Sequence, residues 1–165
     1  MIYKKPSGDN KLKEMFEQSN GLRGYLTHYS SYISELLAHL DYEALEGIIH
    51  CFLDARKRSS TIFFVGNGGS AATASHFAQD LAEVGRKTRK RCFRTCGLAN
   101  SISHITALAN DYGYETIFTG QMQDFFKKRD VLVAISASGN SSNIIRAVEY
   151  AKRLGGETIG LIGFD

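Results

Sequence analysis

The sequence lacks the features that mark membrane, secreted or disulfide-linked proteins. No apolar run approaches the roughly 18 residues that a membrane-spanning helix requires, and the first residues lack the hydrophobic core of a secretion signal. The 165 residues include three cysteines and one proline, Pro6. An odd number of cysteines without a CxxC pair favours reduced thiols over a disulfide framework or a metal site. These absences predict a cytoplasmic protein.

The excess of positive over negative charge is also small, because the net charge at pH 7 is +3. Such a value does not by itself indicate a nucleic-acid-binding protein. One basic cluster lies within residues 86–94, where five of the seven residues from Gly85 to Arg91 are Lys or Arg. We interpret it as a solvated loop, with a rim that attracts anionic sugar phosphates or a contact for an acidic partner as open alternatives. It is too short and isolated to predict a nucleic-acid site.

Length and composition are those of a globular protein with a sizeable core, at 43% hydrophobic and 22% charged residues. Residues 1–20 are polar and predict a flexible N-terminal segment, of which the first ten residues are loose. Apolar residues at helical spacing predict N-terminal helices over residues 21–58. Asp41 is the predicted N-cap of the second of these helices, with Ala44–Arg58 as its body. Residues 59–165 form the main domain.

Strands and helices alternate in the main domain. The predicted strands are 61–65, 92–98, 131–135 and 158–162, and the predicted helices are 70–83, 102–109, 118–126 and 143–154. This alternation predicts an α/β fold with a doubly wound parallel sheet that helices cover on both faces. Such sheets bind ligands beyond the carboxyl ends of their strands, at the point where the strand order reverses.

Two of the predicted strands end in loops of small polar residues. The segments FFVGNGGSAA (63–72) and AISASGNS (134–141) each lead into a predicted helix. Free N–H groups and the positive end of the helix dipole favour anions there, glycine permits close approach of the backbone, and serine adds hydroxyl donors. The pair predicts a site for a phosphorylated small molecule. Its predicted binding residues are Asn67, Gly68, Gly69, Ser70, Ser136, Ser138 and Ser141.

His76 and Asp80 stand four residues apart on the helix after the first of these loops, so both project from one face. That spacing suits a metal-binding pair or a general base with the group that orients it. An ordinary surface or core contact is the alternative.

The segments GNGGSA and ISASGNS together resemble the sugar isomerase (SIS) domain, and they are most similar to its phosphoheptose isomerase branch. The resemblance runs from about Tyr32 to Asp165 and implies a flavodoxin-like or Rossmann-like sheet. In the family the second loop is usually STSGNS and holds the phosphate. Ala137 occupies the threonine position, and the loss of one neutral hydrogen bond weakens binding by about 0.5–1.5 kcal/mol.

The segment ANDYGY (109–114) is similar to the family's NDFGF or NDYGY segment. This similarity implies that Asn110 and Asp111 lie beside the substrate hydroxyls. From the residues alone, a helix C-cap by Asn110 followed by a turn remains the alternative.

The resemblance also implies a chemistry, the isomerisation of sedoheptulose 7-phosphate in heptose biosynthesis through an enediolate. The family has a Glu at the position of Asp80; it acts as an acid–base group and binds zinc with the preceding His and with a later Gln and His. His76 and Asp80 are therefore the implied catalytic residues and zinc ligands. Asp is shorter than Glu, and a displacement of about 1 Å can lower a rate about 10²-fold. No nucleotide or flavin is expected, because GNGGS lacks the GxGxxG spacing.

Three further expectations follow from the resemblance. Family members form dimers of dimers, so we expect a homo-oligomer. They usually continue through another strand and a long helix, so we expect a C-terminal strand and helix to be missing after Asp165. Some relatives keep the loops without activity, so the alternative is a sensor of sugar phosphates or a protein-binding adaptor. His76 and Asp80 favour the enzyme, whereas Ala137 favours the alternative.

Overall fold

A computed structural model describes residues 11–88 and 90–163. The chain divides into two compact units, residues 1–45 and 46–165. The predicted looseness of the first ten residues falls outside the described residues, as does Arg89 of the basic cluster. Within the described part of the chain, no helix combines the length and the apolar character needed to cross a membrane.

The N-terminal helices lie where the sequence predicts them, with one addition. They are α1 (Lys11–Glu17), α2 (Gly21–Ala38) and α3 (Tyr42–Arg58). Asp41 caps α3 as predicted, since its Oδ1 accepts a hydrogen bond of 2.9 Å from the Ala44 N–H. Helix α1 is the addition, because it lies within the segment 1–20, for which the sequence pattern predicted no helix.

The second unit contains a four-stranded parallel sheet with the order β2–β1–β3–β4. The strands are β1 (Thr61–Gly66), β2 (Arg94–Gly97), β3 (Val131–Ser136) and β4 (Glu157–Ile162). The helices are α4 (Gly69–Lys87), α5 (Ile102–Tyr112), α6 (Thr119–Phe125) and α7 (Ser142–Arg153), with a 3₁₀ turn at Tyr114–Thr116. The predicted fold is confirmed, and every predicted strand and helix of this unit is present with its ends moved by a few residues.

The two central strands, β1 and β3, are buried on both faces of the sheet. Along β1, Ile62 and Phe64 belong to one apolar layer and Phe63 and Val65 to the other. Helices α3 and α4 cover the first layer, and helices α5, α6 and α7 cover the second. Central strands that face helices on both sides read as continuous apolar runs, which explains the sequences of β1 and β3.

The strand order reverses between β1 and β3. From this central pair, β2 lies beside β1 and β4 lies beside β3, and the last residue of β1, Gly66, pairs with Ile135. The loops that follow β1 and β3 therefore leave the same edge of the sheet side by side. This crevice is where doubly wound sheets bind their ligands.

Candidate ligand-binding site

The first loop (residues 66–70) turns tightly from β1 into α4. A Cβ atom on Gly66 would lie 2.4 Å from the carbonyl oxygen of Ser70, so a larger residue does not fit. Gly68 has a φ of +53°, in the left-handed region that glycine favours. The N–H groups of Gly69 and Ser70 make no hydrogen bond within the described part of the chain. They are the free donors that the start of a helix offers to an anion.

The second loop (residues 136–141) is shaped by two of its own serines. The Gly139 N–H donates to Ser136 Oγ at 3.1 Å, and the Asn140 N–H donates to Ser138 Oγ at 3.3 Å. Each serine oxygen only accepts in these contacts, so neither contact uses a hydroxyl hydrogen. Ser136 is buried, at 5% exposed, whereas Ser138 is partly exposed.

Ser141 differs from these two serines because its hydroxyl makes no capping hydrogen bond at the start of α7. Its carbonyl oxygen begins the helix by accepting from the Ile144 N–H at 3.0 Å. The hydroxyl is thus free to contact a ligand beside the positive end of the helix dipole. Ala137 is exposed in the same loop and adds no donor from its side chain.

A pair of side-chain amides joins the first loop to the first turn of α7, just after the second loop. Asn67 Nδ2 donates to Asn143 Oδ1, and Asn143 Nδ2 donates back to Asn67 Oδ1, both at 2.9 Å. Asn143 is only 1% exposed, and its Oδ1 also accepts from the Ile144 N–H at 2.9 Å. The Tyr114 hydroxyl donates to Asn67 Oδ1 at 3.1 Å. Asn67, predicted to bind a ligand, therefore uses most of its amide within the protein.

Sequence reasoning missed Asn143 and Tyr114. Asn143 is the polar member of a buried stripe on α7 that continues through Ala147 and Ala151 at spacings of four. A polar residue on a buried stripe needs an internal partner, and this is the signal that could have found it. Tyr114 belongs to the ANDYGY segment, in which only Asn110 and Asp111 were predicted to contact a ligand.

Asn110 and Asp111 lie in the last turn of α5. The alternative interpretation of Asn110 as a helix C-cap is wrong, because the helix continues past it. The cap is Gly113, which has a φ of +92° and an N–H that donates to Ala109 O. Asn110 Nδ2 donates to Asp111 Oδ1 at 2.8 Å. The structure connects this segment to the first loop through Tyr114, which is four residues after Asn110 and three after Asp111.

His76 and Asp80 project from one exposed face of α4, as their spacing predicts. His76 Nε2 lies 3.4 Å from Asp80 Oδ2, and the two side chains are 75% and 65% exposed. At 1.5 Å per residue they stand about 10 Å and about 16 Å along the helix from its first residue. His76 lines an open cleft of about 680 Å³ between α4 and β2, together with Gln79 and Thr95, whereas Asp80 lies outside that lining.

Zinc ligation can be tested against this donor set. Catalytic zinc takes three protein ligands and structural zinc takes four. Among residues 11–88 and 90–163, no three His, Cys, Asp or Glu side chains are grouped so that they could hold a metal ion. His76 and Asp80 supply two donors, so the described residues alone do not fit a zinc site.

The basic cluster lies at the opposite edge of the sheet. Arg91 donates to the carbonyl oxygen of Lys57 at 3.1 Å, and Arg94 pairs with Thr61 at the start of β1. Arg86 pairs with Glu83 on its own helix. Because Arg91 and Arg94 lie at the amino ends of the strands, the rim interpretation does not hold for these two residues.

Comparisons of the sequence with known proteins all point to one family. The sequence model of a family described as "SIS domain" matches residues 25–163. The phosphoheptose isomerase of Aliarcobacter butzleri is 41% identical over 146 residues, which are 82% of this chain and 76% of that protein. The phosphoheptose isomerase of Helicobacter pylori strain P12 is 42% identical over 124 residues, 74% of this chain. The chain spans 64% of the length of the latter protein, which is less than two thirds.

Solved structures give the same result. A phosphoheptose isomerase from Neisseria gonorrhoeae matches with a TM-score of 0.72 at 32% identity, over 85% of this chain and 73% of that one. One from Francisella tularensis matches with a TM-score of 0.78 at 27% identity, over 87% of this chain and 75% of that one.

Proposed function

Because the chain belongs to the SIS domain family, we propose that it is an aldose–ketose isomerase that converts sedoheptulose 7-phosphate to glycero-manno-heptose 7-phosphate. One observation carries the proposal: the two glycine- and serine-containing loops lie side by side where the strand order reverses, joined through Asn67 and Asn143. The four relatives reported above are named phosphoheptose isomerases, and these names support this choice of substrate.

The phosphate is proposed to bind between the second loop and the first turn of α7. Ser141 offers its uncapped hydroxyl there, and the helix dipole adds a partial positive charge. The sugar hydroxyls are proposed to contact the first loop, where the N–H groups of Gly69 and Ser70 are free. Serine hydroxyls and backbone amides bind a phosphate without a basic side chain.

The proton transfer is proposed to take place farther along α4. A base removes a proton from C1 of the ketose, a proton returns to C2, and the hydroxyl proton passes from O1 to O2. Asp80 is the proposed base, and His76, which approaches it within 3.4 Å, orients it. The reacting carbons and the phosphate of a heptose 7-phosphate lie at opposite ends of the sugar, which suits the separation along α4. The proposal assigns no second acid–base group among the described residues.

Three further parts of the proposal concern zinc, assembly and location. Zinc at His76 and Asp80 needs additional donors, and no step above uses it. We propose a homo-oligomer, a dimer of dimers, because α2 has no buried residue and leaves Leu22, Leu26 and Leu37 exposed. A cytoplasmic location is proposed from the three unpaired cysteines.

A non-catalytic sensor or adaptor is the second candidate, and one observation favours it. Asp80 is 65% exposed and lies outside the lining of the cleft that His76 borders. General bases usually work in a drier site, where their pKa can be tuned. Ala137 also lacks the hydroxyl that the family has at its position.

Turnover of sedoheptulose 7-phosphate by the protein from its full reading frame, with and without added zinc, tests the proposal. We expect conversion to the aldose, detected by proton exchange at C1 and C2. Binding without turnover would move the function to the sensor or adaptor. Absence of both binding and turnover would overturn the proposed substrate.

A further inference from the structure

The amide pair between Asn67 and Asn143 connects the first loop directly to the first turn of α7, which follows the second loop. Beyond the pairing of Gly66 with Ile135, where β1 and β3 end, no backbone hydrogen bond joins residues 67–70 to residues 136–141 in the described part of the chain. The relative position of the loops therefore depends on side chains.

We infer that Asn143 is a positioning residue, whose buried amide holds the first loop against the start of α7 so that both loops contact one ligand. The inference rests on the proposed function. Asn143 is 1% exposed, so its side chain acts on ligand affinity through its hydrogen-bond partners, Asn67 and the Ile144 N–H, and not by touching the ligand.

The hydrogen bonds fix the orientation of both amides. Asn143 Oδ1 accepts from the Ile144 N–H, which can only donate, so Asn143 Nδ2 must point toward Asn67. Asn67 Oδ1 accepts from that Nδ2 and from the Tyr114 hydroxyl. Each amide thus acts as donor and acceptor at once. A carboxylate of the same shape cannot replace Asn143, because it has no hydrogen to donate.

Asn143→Asp tests this requirement with little change in volume. At pH 8 the carboxylate still accepts from Asn67 Nδ2 and from the Ile144 N–H, but it repels Asn67 Oδ1. We expect affinity for inorganic phosphate and for sedoheptulose 7-phosphate to fall about tenfold, as for the loss of a buried hydrogen bond. At pH 5, protonation of the buried carboxyl group supplies an O–H donor, so the ratio of variant to wild-type affinity rises. Because the variant and the wild type are compared at the same pH, the effect of the phosphate's own titration on affinity cancels in the ratio.

Gln121→Glu is the matched control, since Gln121 is also a buried amide, at 5% exposed. Its Nε2 donates to the carbonyl oxygens of Leu98 and Ile117 at 2.9 Å and 2.7 Å, away from both loops. The control variant should lose stability while its ligand affinity stays within twofold of wild type.

Hydrogen exchange of the free protein gives a readout that needs no ligand. The N–H groups of Ala71 and Ala72 donate to carbonyl oxygens of the first loop and not to residue 143. We expect Asn143→Asp to accelerate their exchange, and Gln121→Glu to leave it unchanged. Tyr114→Phe, which removes the other donor to Asn67 Oδ1 and is exposed, should act in the same direction and serves if Asn143→Asp does not fold.

The outcomes separate the two proposals. If wild type binds both ligands while the variants at positions 143 and 114 keep affinity and exchange unchanged, the positioning role is overturned. If wild type binds neither ligand, the proposed function fails, and faster exchange at Ala71 and Ala72 still supports the role of Asn143.

Discussion

The backbone N–H of Thr61 donates a hydrogen bond of 2.8 Å to Asp130 Oδ1, and this contact joins the first residue of β1 to the residue before β3. Asp130 Oδ2 accepts a second hydrogen bond, also of 2.8 Å, from the Lys127 N–H. The side chain is buried, at 5% exposed. Because β1 and β3 carry the two loops, this carboxylate helps to fix the register on which the candidate site depends.

Asp130→Asn should therefore destabilise the fold. The amide leaves one oxygen as an acceptor and places an NH₂ group against a backbone donor. Hydrogen bonds to a charged acceptor contribute about 1.5–3 kcal/mol, and we expect a loss of that size in urea unfolding. Asp124→Asn is the control, since Asp124 is exposed and should change stability by less than about 0.5 kcal/mol. Equal effects of the two variants would contradict the assigned role.

Gly66→Ala should disturb both the fold and the site. The added Cβ would lie 2.4 Å from Ser70 O and 2.6 Å from Ser70 C, and these atoms belong to the first turn of α4. Overpacking of this kind costs about 1–3 kcal/mol, and the displaced loop should also bind phosphate more weakly. Thermal unfolding and calorimetry measure the two effects.

Gly47→Ala is the matched control for this substitution. No atom lies within 4 Å of a Cβ atom at Gly47, which is inside α3, so alanine should stabilise the helix by about 0.5–1 kcal/mol. A Gly66→Ala protein as stable as wild type would show that the first turn of α4 can move away.

Cys51 should be chemically inert near neutral pH. Burial is the main cause that raises the pKa of its thiol to about 12, and the hydrogen bond that Cys51 donates to Glu157 Oε2, at 3.1 Å, adds to it. The exposed Cys92 should react with iodoacetamide at pH 8 while Cys51 remains unmodified. Equal labelling of the two thiols in mass spectrometry of peptides would contradict this environment.

The same shift gives a pH dependence with a defined sign. The ordinary thiol pKa of 9.0 is raised in the folded protein, so the folded state holds the proton more tightly than the unfolded state. The contribution to stability is complete below pH 9 and is lost as the pH rises toward 12. Glu157→Gln removes the charge near the thiol, so it should lower the pKa of Cys51 and speed its alkylation at pH 9.

The fold could be predicted from the sequence because its evidence is local. Each strand is a short apolar run and each helix has a periodic face, so the alternation of elements is visible without knowledge of distant contacts. The loops were also predictable, since glycine and serine at a strand end reveal their conformation. Helix ends were harder to predict: α5 continues to Tyr112 and ends at Gly113, which has a positive φ. Asn110 and Gly113 both suit a helix end, and the local sequence did not decide between them.

The connections within the site could not be predicted in the same way. Asn67 was identified by its loop, but its partner Asn143 is far along the chain and belongs to another helix. The reciprocal hydrogen bonds arise only when the sheet places β1 beside β3. Tyr114 reaches Asn67 for the same reason. A residue's neighbours in a parallel sheet are set by topology, which local sequence does not encode.

Ser141→Ala should separate stability from ligand binding. A serine at an N-cap usually contributes about 0.5–2 kcal/mol through its capping bond, but Ser141 makes no such bond. We therefore expect unfolding to change by less than about 0.5 kcal/mol. Affinity for sugar phosphate should fall about 2–10-fold, as for one neutral hydrogen bond.

Ser142→Ala, one residue later on the exposed start of α7, is the control and should leave affinity unchanged. The double variant Ser138→Ala and Ser141→Ala should bind more weakly than either single variant. If sugar phosphate still stabilises the double variant against heat as strongly as wild type, the phosphate does not bind at the second loop.

Asp80→Asn tests the proposed assignment of Asp80 as the general base. Loss of a general base lowers rates by about 10²–10⁴-fold, so we expect kcat for sedoheptulose 7-phosphate to fall by at least about 10². Binding measured directly should stay within a few-fold, because the proposed phosphate contacts lie at the other end of the ligand. Glu83→Gln, which removes a carboxylate one turn farther along α4, should leave kcat unchanged. Asp80→Glu should remain active, because it restores the longer side chain and keeps the titrating group. Full activity in Asp80→Asn would remove this residue from the chemistry and would mean that another group acts as the base.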